Sequence, residues 1–190
     1  MTPEIAALDL RHERWARMFV ATVRLPDGGT ALRDVEDHGQ AVAVLPYDPE
    51  RRAALLVRQF RAPPFHAAGE AQMLEAPAGR LDEDDPEACA RREAMEEVGL
   101  RLGALEPVVF AWTMPALSTE RAHLFLAPYR AADRVGAGGG LSSEQEGISV
   151  AEMPLAELAA MADAGALTEL KLFALLQTLR LRRPELFAPP

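Results

Sequence analysis

The chain has 190 residues, 49% of them apolar and 26% charged, with a net charge of −9. That length suffices for one domain with a full core, and the acidic balance argues against nucleic acid or an anionic membrane as a partner. The single Cys89 excludes an intramolecular disulfide, and no apolar run reaches the length of a signal peptide or membrane span, so a cytoplasmic protein is expected.

Trp15 to Arg24 reads as a strand running into the turn Pro26-Asp27-Gly28-Gly29, and Thr30 to Glu36 as its hairpin partner. Gln40 to Tyr47 and Ala53 to Phe60 are strong strand candidates on either side of Asp48-Pro49-Glu50. Met73 to Ala76 is a short strand entering the bend Pro77-Ala78-Gly79. Pro86 to Val98 is the clearest helix: Asp84 or Asp85 can cap it, Pro86 suits its first turn, and Gly99 fits just past its end. Strands are predicted at Leu105 to Trp112, Ala122 to Tyr129 and Ile148 to Glu152, with Gly136 to Gly140 a mobile loop before the last. Leu155 to Ala164 and Thr168 to Arg182 have helical periodicity and are separated by Gly165. The sum is an α+β arrangement in layers. Trp15, Phe19 and Trp112 are expected in the core. His38, His66 and His123 lack metal-like spacing and are expected to be structural or exposed.

Chemistry concentrates in the helix. Glu93, Glu96 and Glu97 stand at i, i+3 and i+4, so all three carboxylates share one face. Like charges at that spacing repel, and a hard divalent cation with oxygen ligands would relieve them. Arg92-Glu93-Ala94-Met95-Glu96-Glu97-Val98-Gly99-Leu100 resembles the right half of the Nudix box, R-E-U-x-E-E-x-G-U, with Ala94 in the first aliphatic place. The left half departs from the pattern. An Asp, either Asp84 or Asp85, takes the place of the first Glu, and Gly79 stands one residue too close to Arg92.

The similarity to the Nudix hydrolase family runs from about residue 43 to 179. Pro115, sixteen residues after Gly99, resembles the ADP-ribose and nucleotide-sugar pyrophosphatase subgroup. Met114 to Glu120 is similar to that subgroup's S-P-G-G-x-x-E loop, with Ala116 and Leu117 in place of the glycines. The shortened box and Gly138-Gly139-Gly140 are most similar to the branch acting on GDP-mannose.

The resemblance implies an α/β/α sandwich in which a mixed sheet lies between helices. Residues 1–40 would be an N-terminal β extension serving dimerisation, and 41–190 the hydrolase domain. It further implies Mg²⁺, or Mn²⁺, held by Glu93, Glu96, Glu97 and the carbonyl of Ala78, with Arg92 orienting the glutamates. Substrate would be a nucleoside diphosphate sugar, GDP-mannose or ADP-ribose, split at its diphosphate. Glu146 or Glu144 would be the general base. Glu120 would hold the sugar or a metal-bound water, and Glu75 would brace the bend at Pro77. Arg58 and Arg61 alternate with apolar residues along one strand, and an Arg fork matches phosphate oxygens. Both are candidates for the substrate phosphates. A homodimer with shared pockets is implied. The competing functions are a sanitising hydrolase of other nucleoside diphosphate derivatives and a catalytically silent nucleotide sensor.

Overall fold

The computed structural model describes residues 2–82, 84–141 and 147–188. The chain divides into two compact units, Met1–Ala41 with Phe110–Ala122, and Val42–Val109 with His123–Pro190.

The first unit is built on a three-stranded antiparallel sheet of β1 (Glu4–Glu13), β2 (Arg17–Arg24) and β3 (Thr30–Asp37), in that order. The hairpin β2–β3 follows the sequence pattern and turns at Gly28. Strand β1 does not: every residue of it is exposed, so it carries no in–out alternation by which a buried face could be recognised.

The second unit holds the core. Its sheet has the order β10 (Ser149–Pro154), β5 (Ala53–Gln59), β4 (Ala41–Asp48), β9 (Arg121–Pro128) and β8 (Glu106–Trp112). Strand β4 is buried at every position, which is why Ala-Val-Ala-Val-Leu reads as a continuous apolar run. Strand β5 pairs with β10 along Ala53–Arg58. Among the described residues it pairs with β4 through Ala53 and Ala54, and with β6 (Met73–Glu75) through Val57–Gln59. The next strand, β7 (Ala78–Arg80), pairs with β4. Residues 73–80 therefore wedge between two diverging strands, crossing from β5 to β4 at Ala76-Pro77. The bend expected at 77–79 proves to be half bend and half strand.

Helix α1 (Ala62–Ala68) has no counterpart in the sequence reading. It is one short element with prolines in its first turn and no buried residue. Helix α2 (Pro86–Val98) has the predicted bounds. Asp85, not Asp84, is its N-cap and accepts from the Glu87 N–H at 2.9 Å. Gly99 closes it at φ 69°. Cys89, Ala90, Ala94 and Val98 turn into a core shared with Val42, Val44, Leu55, Val57, Phe125 and Tyr129. Small residues on that face let the helix approach the sheet closely. Helix α3 (Leu155–Asp163) and helix α4 (Leu170–Arg182) complete the unit. Leu172, Leu175, Leu176 and Leu179 form the buried stripe of α4, each contributing about 1.5–3 kcal/mol by burial.

Among the described residues no helix is long and apolar enough to cross a membrane. The expected core aromatics are a correction. Trp15 is 70% and Trp112 55% exposed, while Phe19 is half-buried. Trp15 lies in the connection between β1 and β2, and Trp112 is the last residue of β8.

Candidate active site

Helix α2 presents two faces at once. Positions 89, 90, 94 and 98 are apolar and buried, and on the adjoining stripe Glu93 and Glu97 are buried as well, at 8% and 2% exposure. Carboxylates at that depth require partners. Glu97 accepts from the Ala78 backbone N–H at 3.1 Å. Glu93 lies against the neighbouring residue: a Cβ added to Gly79 would stand 2.0 Å from Glu93 Oε1. The absence of a side chain at position 79 is what admits this carboxylate. The wedge of residues 73–80 thus carries the backbone of Ala78 and Gly79 to the two acids.

Arg92 makes the ion pairs expected of it. Its guanidinium lies 2.9 Å from Glu93 Oε1 and 3.0 Å from Glu96 Oε2. One positive charge then faces three negative ones. Glu96, half-buried, is held on the Arg92 side, and among the described residues no three His, Cys, Asp or Glu side chains are gathered into a metal cage. The two carboxylates that converge on the Ala78–Gly79 backbone, Glu93 and Glu97, are oxygen donors. Carboxylate oxygens of this kind fit a hard divalent cation.

The segment Gly136 to Gly140 is a second correction. Predicted as a mobile loop, it is hydrogen-bonded along the end of α2. The last carbonyls of a helix lack partners within it, and here the Gly139 N–H donates to the Glu97 carbonyl at 2.8 Å and the Gly140 N–H to that of Glu96 at 3.0 Å. Val135 and Gly136 donate to the Gly99 carbonyl. Gly138 approaches so closely that a Cβ would meet the Glu97 carbonyl oxygen at 2.4 Å, and its φ of 71° favours glycine independently. Three consecutive glycines at positive φ were the available signal.

The other sequence candidates are distributed as follows. Arg61 closes its fork on buried Glu75, with Nε to Oε1 at 2.8 Å and an Nη to Oε2 at 2.9 Å. Glu75, expected to brace Pro77, is therefore the partner of Arg61. Arg58 is exposed on β5. Glu144 and Glu146 lie outside the described residues. Glu120 belongs to the first unit, where its carboxylate meets His38 Nε2 at 2.7 Å. His66 is exposed, and His123 stacks with Phe125.

A NUDIX domain model matches residues 37–176. The chain belongs to the NUDIX domain family, with its α+β fold, and is a pyrophosphatase of that family. Among its relatives, a GDP-mannose pyrophosphatase of Cronobacter sakazakii is 42% identical over 151 residues, covering 79% of this chain and 78% of the relative. A GDP-mannose pyrophosphatase of Pectobacterium atrosepticum is 36% identical over 179 residues, covering 92% of each. The crystal structure of an ADP compounds hydrolase superposes with a TM-score of 0.75 over 96% of this chain and 97% of that one, at 17% identity, which speaks to the fold alone.

Proposed function

We propose that the protein hydrolyses the diphosphate of a nucleoside diphosphate sugar, GDP-mannose first and ADP-ribose second. Water adds to one phosphorus, the bridging P–O bond breaks, and a nucleoside monophosphate and a sugar phosphate leave. The observation that carries this reading is the pair of buried carboxylates, Glu93 and Glu97, converging on Ala78–Gly79. The relatives named for GDP-mannose support the substrate.

Glu93, Glu97 and the Ala78 carbonyl would hold Mg²⁺ or Mn²⁺, with Glu96 serving a second ion. When bound, the cation supplies charge neutralisation on the diphosphate and a more acidic water. This chain's residues supply the rest. Arg92 keeps Glu93 and Glu96 in register. Glu146, or in its place Glu144, takes the proton of the attacking water. Arg58 and Arg61 bind phosphate oxygens, Arg61 from the orientation that Glu75 gives it, and Glu120 accepts from sugar hydroxyls. Residues 1–40 serve dimerisation and 41–190 catalysis, in a cytoplasmic homodimer with two equivalent sites.

Incubation with a panel of nucleotide sugars and Mg²⁺, with alkaline phosphatase added to release phosphate from the monoester products, tests the reaction. Release from GDP-mannose above the other sugars is expected. Faster conversion of oxidised nucleoside triphosphates to monophosphates, followed by chromatography without the phosphatase, assigns a sanitising role, and nucleotide-sugar binding with no release assigns a silent sensor. Light scattering at micromolar concentration should give about 41 kDa, twice the chain's 20.7 kDa. A fully active monomer overturns the shared pocket.

A further inference from the structure

One titratable cluster in the first unit has no part in the chemistry above. At the end of β3, the His38 ring lies between two carboxylates. Its Nδ1 is 2.5 Å from Glu36 Oε1, and its Nε2 is 2.7 Å from Glu120 Oε2. The three side chains are only 13–16% exposed. Ser118 closes the circuit: its hydroxyl donates to Glu36 Oε2 and accepts from the Glu120 N–H at 3.0 Å. Trp15 stacks on the imidazole face, ring centres 4.6 Å apart. The backbone beneath is fixed by Glu36 donating to the Leu117 carbonyl and Thr119 donating to that of Glu36.

A carboxylate oxygen only accepts, and a neutral imidazole has one N–H. Both contacts are met together when the ring is imidazolium, which then neutralises one of two acids that would otherwise repel across it. Burial works against that charge, but hydrogen bonds and attraction from Glu36 and Glu120 outweigh it and hold the His38 pKa above its ordinary value. Beside it on β3, Asp37 pairs with Arg17 and accepts from the Thr119 hydroxyl.

We propose that His38 is a positioning residue for Glu120, its imidazolium clamped between Glu36 and Glu120 so that the Glu120 carboxylate is presented to substrate hydroxyls in one fixed orientation. This rests on the assignment of Glu120 to the substrate made above. Losing a charge-assisted bond of this kind weakens what it organises by about tenfold or more. His38→Gln, whose N–H donors sit on a single amide nitrogen and carry no charge, should raise KM for GDP-mannose by about that factor at neutral pH with kcat little changed. In the wild type KM should climb as pH rises through the titration of His38. His38→Arg keeps the charge and two donors, and should remove that climb. Nitrogen NMR of the labelled wild-type protein reads the clamp directly, as two protonated ring nitrogens at pH 7 that are lost in Glu120→Gln.

Two protonated nitrogens, a raised KM in His38→Gln and a flat profile in His38→Arg establish the proposal. A ring with one proton at pH 7, unaltered by Glu120→Gln, overturns the clamp. An unchanged KM in His38→Gln beside a raised KM in Glu120→Gln overturns positioning while sparing Glu120. An unchanged KM in Glu120→Gln removes Glu120 from the substrate, and this inference falls with it even where the NMR signature persists.

Discussion

Two of the molecule's clusters of shielded carboxylates, Glu93 with Glu97 on α2 and Glu36 with Glu120 at the end of β3, are neutralised differently. On α2, Glu93 and Glu97 are answered by a backbone N–H, a glycine surface and Arg92, none of which changes charge in the physiological range. At the end of β3, Glu36 and Glu120 are answered by His38, the side chain whose ordinary pKa lies closest to that range. The first arrangement holds its acids with groups of fixed charge. The second is complete only while one proton is present. The two clusters differ in the cation that answers them, and the α2 pair is also the more deeply buried.

The sharpest way to break the comparison is at the first cluster. Glu97→Gln keeps the shape and the acceptor for Ala78 N–H but removes the charge proposed to hold the cation. Several kcal/mol of charge stabilisation correspond to about 10³-fold or more in turnover. Initial rates on GDP-mannose should show that loss with little change in melting temperature. A variant retaining a tenth of wild-type rate would remove Glu97 from the metal.

General-base removal costs about 10²–10⁴-fold, so Glu146→Gln should fall in that range with KM little altered. Loss in Glu144→Gln alone would exchange the two assignments, and loss in neither would turn attention to Glu120.

How much of this could be read in the sequence follows from what each feature depends on. Helix α2 was legible in its bounds because its signals are local: an Asp cap at 84 or 85, proline at the first turn, glycine past the end. The acidic face was legible for the same reason, being one helix seen end-on. Strand β1 and helix α1 were not, since neither buries a face and periodicity has nothing to report. Nor was the partnership of His38 with Glu120, 82 residues apart, which no spacing rule connects. The triple glycine was visible as a motif, but its role was misread. Glycine permits mobility and also permits a backbone to pass where no Cβ fits, and only the approach to the Glu97 carbonyl distinguishes the two.

That distinction can be measured. In Gly138→Ala the new Cβ meets backbone at 2.4 Å, at φ 71°. In Gly69→Ala the φ is 73° but nothing lies within 4 Å. The second change should cost only the left-handed backbone penalty, about 1–2 kcal/mol. The first adds overpacking of about 1–3 kcal/mol. For a chain of this size each kcal/mol moves the melting temperature by about 2–4 °C. Calorimetry should therefore place Gly138→Ala several degrees below Gly69→Ala, and Gly138→Ala alone should lose activity, because the displaced carbonyl belongs to Glu97. Equal losses would return residues 136–140 to a loop without a structural task.

The smallest effect tests the second cluster by pH. His38 has a folded pKa above its unfolded value of 6.5, so its contribution to stability is fully present below pH 6.5 and is lost as pH rises through the folded value. Asp37, whose hydrogen bond from Thr119 holds it below its ordinary 3.8 against the opposing effect of burial, behaves oppositely and loses its contribution only in acid. Between pH 6 and pH 9 Asp37 is ionised throughout, and the change should belong to His38. The melting temperature of the wild type should fall by a few degrees over that interval. His38→Arg should hold nearly constant, because the guanidinium keeps its proton. His38→Gln should also be flat but lower at pH 6, where the wild type has its full advantage. Arg92→Lys keeps the positive charge on α2 and should leave the wild-type decline in place. A decline that persists in both His38 variants would mean that the pH sensitivity lies elsewhere and that the two clusters do not differ in the way their cations suggest.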